Sequence, residues 1–223
     1  MRTGVFKNCI TFFCVFFIFA VVGYCCFLNS RAVIALDKDF YFLTIETQTV
    51  EASAIEIKRD GGAGFLLKSG KSAEVALSVY FSENEGNKIA DLNKEKYEDL
   101  KVTHLNCGKL YLKRSVSNDE AKKLADAFDN LYGHILLLNE AILRLDNGQT
   151  QEASKRILKE ISDNFGYLKN AYAGKYKTLA SLYAKGEEAL EAQIENIVFA
   201  KDLRYLLCEL SKGYIDFAGE YSL

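Results

Sequence analysis

Hydrophobic and polar positions change rhythm twice along this chain. Residues 40–47 (FYFLTIET) alternate and are rich in aromatic and β-branched side chains, the pattern of a strand. Residues 49–59 (TVEASAIEIKR) follow with helical spacing and stop at Asp60-Gly61-Gly62. A short strand over 64–68, a turn at Ser69-Gly70-Lys71 and a second alternating strand over 73–81 (AEVALSVYF) come next. Ser82 is placed to cap a helix reaching about Lys96, with Glu83 and Glu85 in its first turn. Residues 100–105 and 109–113 read as a closing hairpin around Asn106-Cys107-Gly108. From Ser117 the period becomes three and four. Leu124, Phe128, Leu131, Ile135, Leu138, Ile142 and Leu145 form one stripe of a long helix that Asn147-Gly148 ends. Ala153, Ile157, Ile161, Phe165 and Leu168 mark a second helix. After a break near Gly174, a third is predicted from Lys175 to about Tyr214. The stripes are wide enough for core packing and predict an antiparallel helical hairpin or bundle.

Ahead of these elements, residues 9–28 (CITFFCVFFIFAVVGYCCFL) carry no charge. Twenty helical residues match a hydrocarbon core about 30 Å thick. Arg2 and Lys7 precede the segment, and Arg31 with Asp37, Lys38 and Asp39 follow it. The positive-inside bias predicts a single-pass anchor in a cell membrane, with a cytoplasmic N-terminus and the bulk of the chain outside. The competing reading, a cleaved signal peptide, calls for a shorter apolar run and a small-residue cleavage site. The predicted organisation is α+β: a tail over 1–8, a transmembrane helix over 9–28, and a linker over 29–37. A βαββαβ domain over 38–115 and an all-α domain over 117–223 complete it.

Charge and cysteine usage narrow the chemistry. A net charge of −2 gives no basic surplus for nucleic acid. Four of the six cysteines lie in the apolar segment, where they act as small hydrophobes, with acylation of Cys25 or Cys26 a minor alternative. Cys107 and Cys208 remain, suited either to one disulfide or to two buried thiols. His104 and His134 fall in different modules without an evident metal partner, so neither a metal nor another cofactor is expected. Gly61-Gly62-Ala63-Gly64 follows a helix and precedes a strand, the reverse of a phosphate cradle. Asp126, Asp129, Glu187 and Glu188 sit on exposed helix faces, and Tyr167, Tyr172, Tyr176, Tyr183 and Tyr205 read as core or rim. No nucleophile elbow, P-loop or zinc-protease motif occurs, and the chain is expected not to be an enzyme.

The order βαββαβ, the opening Phe40-Tyr41-Phe42, "GGAGFLL" and "EVALSVYFSENEGNKI" together resemble the SPOR (sporulation-related repeat) domain of bacterial envelope proteins. The likeness covers about a third of the chain. Thr44 stands near the family's usual glutamine and Glu46 near a usual small residue. The resemblance implies a ferredoxin-like unit, a membrane tether and binding of peptidoglycan glycan strands, in division or sporulation, on the open face of the sheet. Alternation puts Tyr41, Leu43 and Ile45 with Val75, Leu77 and Val79 toward the two helices. Phe42, Thr44, Glu46, Glu74, Ala76, Ser78 and Tyr80 then face the other way. The expected glycan site is Phe42, Thr44, Ser78 and Tyr80: aromatic rings for the sugar faces and hydroxyls for its hydroxyls. Two alternatives stand beside it, a merely solvated sheet face and a face covered by the C-terminal helices. In the last case the chain is a membrane-tethered structural or interaction protein whose helical region binds a protein partner or a second copy.

Overall fold

The computed structural model describes residues 33–68, 73–97, 99–112 and 116–221. The predicted tail and anchor, the first four residues of the predicted linker (29–32) and the turn at residues 69–71 lie outside these. No helix of the described residues is long and apolar enough to cross a membrane.

Among the described residues the architecture is mixed α and β: a four-stranded antiparallel sheet with two helices of its own, followed by four more helices. Strand β1 (Val33–Thr47) is followed by α1 (Val50–Arg59), β2 (Phe65–Lys68), β3 (Ala73–Tyr80), α2 (Glu83–Asn93) and β4 (Leu100–Tyr111). The strand order is β2-β3-β1-β4. Helices α3 (Asn118–Asp146), α4 (Gln151–Tyr172), α5 (Lys177–Glu195) and α6 (Ala200–Tyr221) complete the chain.

Three predicted boundaries are corrected. Strand β1 begins at Val33, inside the predicted linker, because Ile34 and Leu36 bury an alternating face. The charges at 37–39 disguise that alternation. Asp37 adopts φ 43° where the β1–β4 register slips between Ala35 and Lys38. The predicted closing hairpin is one strand, β4, because the extended first half of β1 gives its second half a partner from Ala35↔Lys109 to Val33↔Tyr111. The predicted third helix is two helices, α5 and α6, separated at Asn196, whose backbone is extended and whose Nδ2 donates to the Ala192 carbonyl.

Two apolar clusters sandwich the sheet. The smaller joins Leu43, Val75 and Leu77 to Ile57 of α1 and Ala90 of α2, with Tyr97 at its rim. The larger joins Phe40, Phe42, Ala76 and Val79 to Leu124, Phe128 and Leu131 of α3 and to Leu207, Tyr214 and Phe217 of α6. The predicted boundary near residue 116 therefore does not separate two cores. Helix α3 starts at a capping box, in which Ser117 Oγ accepts from the Glu120 N–H and the Glu120 carboxylate accepts from the Ser117 N–H.

Candidate functional site

A register slip in β3 rearranges the predicted site. Leu43 pairs with Ser78 while Thr44 pairs with Ala76, so Leu77 is the extra residue of a bulge. Because strand side chains alternate, one extra residue exchanges the faces beyond it. Val79 consequently packs with Phe42 toward α3 and α6, whereas it was expected beside Val75 and Leu77. Ser78 and Tyr80 move the opposite way, onto the α1–α2 side beside Leu43 and Tyr41.

The four residues expected to line a glycan groove are thus neither together nor exposed. Phe42 is fully buried beneath the helices, and Thr44 is fully buried as well. Ser78 is buried and Tyr80 half-buried on the other side. The expected open face does not exist at these positions, because the C-terminal helices need an apolar surface and Phe40, Phe42 and Val79 supply it. Cys107 and Cys208 are both buried free thiols. Burial pushes the Cys107 thiol up to about 11.

Ser78 and Tyr80 instead line a cleft of about 210 Å³ between the α1–β2 turn, the end of α2 and the start of α6. Leu43, Leu77 and Ile89 form its apolar part, and Asp60, Asn93, Lys96, Tyr97 and Arg204 its polar part. The turn is built on glycines. Gly64 has φ +61°, and a Cβ there would lie 2.5 Å from the Ala54 carbonyl oxygen; a Cβ on Gly62 would lie 2.6 Å from the Ile57 side chain. The Ala63 N–H donates to the Leu77 carbonyl, fastening the turn to β3. Arg204 Nη1 donates to the Gly61 carbonyl at 2.7 Å, and Nη2 donates to both Asp146 carboxylate oxygens at 2.6 Å. One guanidinium thereby ties α6, the end of α3 and the glycine turn together.

The cleft's charges are already satisfied within the protein. Asp60 accepts from Lys96 and from the Tyr97 hydroxyl, both at 3.1 Å. The Lys96 hydrogen bond holds the Asp60 carboxyl below its ordinary range. Burial, then the bond to Asp60, pushes the Tyr97 phenol up to about 12. Burial also raises the Tyr80 phenol, opposed by Ser78 and by the Arg204 charge. The volume falls short of the roughly 300 Å³ at which small-molecule pockets begin. Such a cleft suits a few water-sized groups.

Two further polar clusters lie on the sheet. Lys101 bridges Glu46 and Glu74 at 3.2 Å each, and Glu74 accepts from Thr103, which shares a hydrogen bond with Thr44. Burial opposes the Lys101 charge, but the hydrogen bonds to Glu74 and Glu46 outweigh it and raise its pKa. On the β1–β4 pair, His104 Nε2 lies 2.7 Å from Asp39 while its ring stacks on Tyr41 at 4.6 Å. Asn106 also donates to Asp39 at 2.6 Å, and these bonds, that of Asn106 first, hold the Asp39 carboxyl low. Among the described residues no group of three His, Cys, Asp or Glu could hold a metal ion.

Sequence reasoning missed Arg204 and the α5–α6 connection. A signal for the first existed: a lone arginine inside the apolar run Leu203, Leu206, Leu207, Leu210. No protein-family model matches the chain, and no curated protein or solved structure is significantly similar to it.

Proposed function

We propose that the chain is a non-catalytic, membrane-tethered interaction protein whose helical region takes a protein partner outside the cytoplasm. The observation that carries this is the burial of Phe42 under α3 and α6, with Thr44 fully buried as well, which removes the surface a glycan strand would need. The order βαββαβ with strands β2-β3-β1-β4 agrees with a ferredoxin-like, SPOR-like ancestry. In this reading the sheet serves as a platform for the helices.

The surface best suited to a partner is the α5–α6 connection. Val198 is buried and held in both directions by one side chain: its N–H donates to Gln151 Oε1 at 2.8 Å, and Gln151 Nε2 donates to its carbonyl at 3.1 Å. The Phe199 N–H donates to Gln193 Oε1. On either side of this clamp, Ile197 is 65% and Phe199 50% exposed. Apolar side chains fixed in place before binding lose little freedom on docking, and so make efficient contacts.

A photo-crosslinking residue at position 199 of the full chain tests the reading in cells. It should yield a discrete protein adduct that Ile197→Asp abolishes. Absence of an adduct, together with retention of the full chain on peptide-stripped wall glycan, would overturn it.

A further inference from the structure

Beyond the partner surface, the described residues leave the outer face of one end of the sheet uncovered. Strand β3 pairs with β1 only from Tyr41 onward, whereas β4 follows β1 back to Val33. Residues 33–39 and 106–111 therefore project as a two-stranded ribbon. Its inner face, with Ile34, Leu36 and Leu110, is buried against the helices. Its outer face is bare: Val33 is 49% and the facing Tyr111 50% exposed, and the next pair, Ala35 and Lys109, is exposed too. Helix α2 stops short of the ribbon, since Gly86 lies over Tyr41 and Val102.

We infer that this outer face of the β1–β4 ribbon rests on the lipid headgroup layer. The inference depends on the tether reading, in which residues 9–28 span the membrane. Only residues 29–32 then separate Leu28 from Val33. Five Cα steps reach at most about 18 Å when fully extended. The headgroup layer takes up roughly 5–8 Å of that on each side of the bilayer, so Val33 is held within about 10–13 Å of it. The chemistry of the face suits that location. Tyrosine is among the residues favoured at the interface, and the exposed Lys109 is placed to meet anionic headgroups. The carboxylates Asp37 and Asp39 sit farther along the ribbon, toward the body.

The chain contains no tryptophan, so a single introduced one reports its own surroundings. Full-length Tyr111→Trp and Phe199→Trp are reconstituted in vesicles of equimolar phosphatidylcholine and phosphatidylglycerol, with and without a headgroup-nitroxide lipid. Tyr111→Trp should lose most of its emission to the nitroxide, and Phe199→Trp should keep its own. Equal quenching of the two, or none at position 111, in a chain that resists alkaline extraction overturns the inference and leaves the tether standing. A chain released by alkaline carbonate removes the tether reading and the inference with it.

Discussion

The two faces of the sheet are packed on different principles. Toward α1 and α2 the cluster is small, mostly aliphatic, and opens on a polar cleft whose charges pair among themselves. Toward α3 and α6 it is large and aromatic, with Phe40 against Tyr214 at 5.5 Å and Phe128 against Phe217 at 4.8 Å. Short local helices can cover only part of a four-stranded sheet, and the aromatic side needs the long helices to be buried at all. A face rich in aromatic residues therefore signals ligand stacking only when nothing in the chain is available to cover it.

Adjacent residues allow the contrast to be broken one face at a time. Phe42→Ala should cost about 3–5 kcal/mol, because the ring is fully buried between the sheet and the helices. A chemical denaturation series showing less than about 1 kcal/mol would mean that the helices do not close this side. Leu43→Ala, pointing the other way, should cost about 2–4 kcal/mol and loosen α1 and α2. Hydrogen exchange should localise that loss to the first helix pair.

The link between the halves comes next in size. Arg204→Ala removes the bonds to Gly61 and Asp146 and should cost about 1–3 kcal/mol in the same denaturation experiment. Arg204→Lys should recover little, since an ammonium cannot reproduce the forked contact.

Smaller effects come from polar groups trapped among the helices. His134 packs between Phe165 and Tyr183, and its Nδ1 is buried without a partner. Burial lowers its pKa below the ordinary 6.5, against weaker opposing effects of the Asn130 backbone and the Glu160 charge. The unfolded chain then binds the proton more readily than the folded one. Stability from this group is full above about pH 6.5 and falls as the pH drops from there toward the lowered folded value. His134→Phe should flatten that part of the profile, and an unchanged slope would reassign it to the carboxylates. Smallest of all, Tyr214→Phe should be neutral or slightly stabilising by thermal unfolding, because the Tyr214 hydroxyl is buried without a partner.

Much of this architecture was legible in the sequence, for local reasons. Ser117 and Glu120 announce the start of α3, Ser82 that of α2, and the three-and-four stripe of α3 matches its buried residues. What stayed hidden depended on distant partners. Nothing within 73–81 reveals that Leu77 is the residue the ladder skips, because the bulge exists only against β1. That slip sent Ser78 and Tyr80 to the cleft and Val79 to the larger core, dispersing the expected site. The covering of Phe42 and Thr44 was open in the sequence as an alternative, but choosing it required knowing where α6 lies. Arg204 likewise acquires its role from Gly61, far away in sequence.

The helices following residue 116 are part of the sheet's own fold, since they share its larger apolar cluster. The most direct measurement is thermal unfolding, by circular dichroism, of a fragment spanning residues 29–115. Without α3 and α6, Phe40, Phe42 and Val79 would face water, and the fragment should show no cooperative transition. A cooperative melt with the strand content of the intact protein would show that the sheet folds without them and return its far face to solvent, open to a ligand.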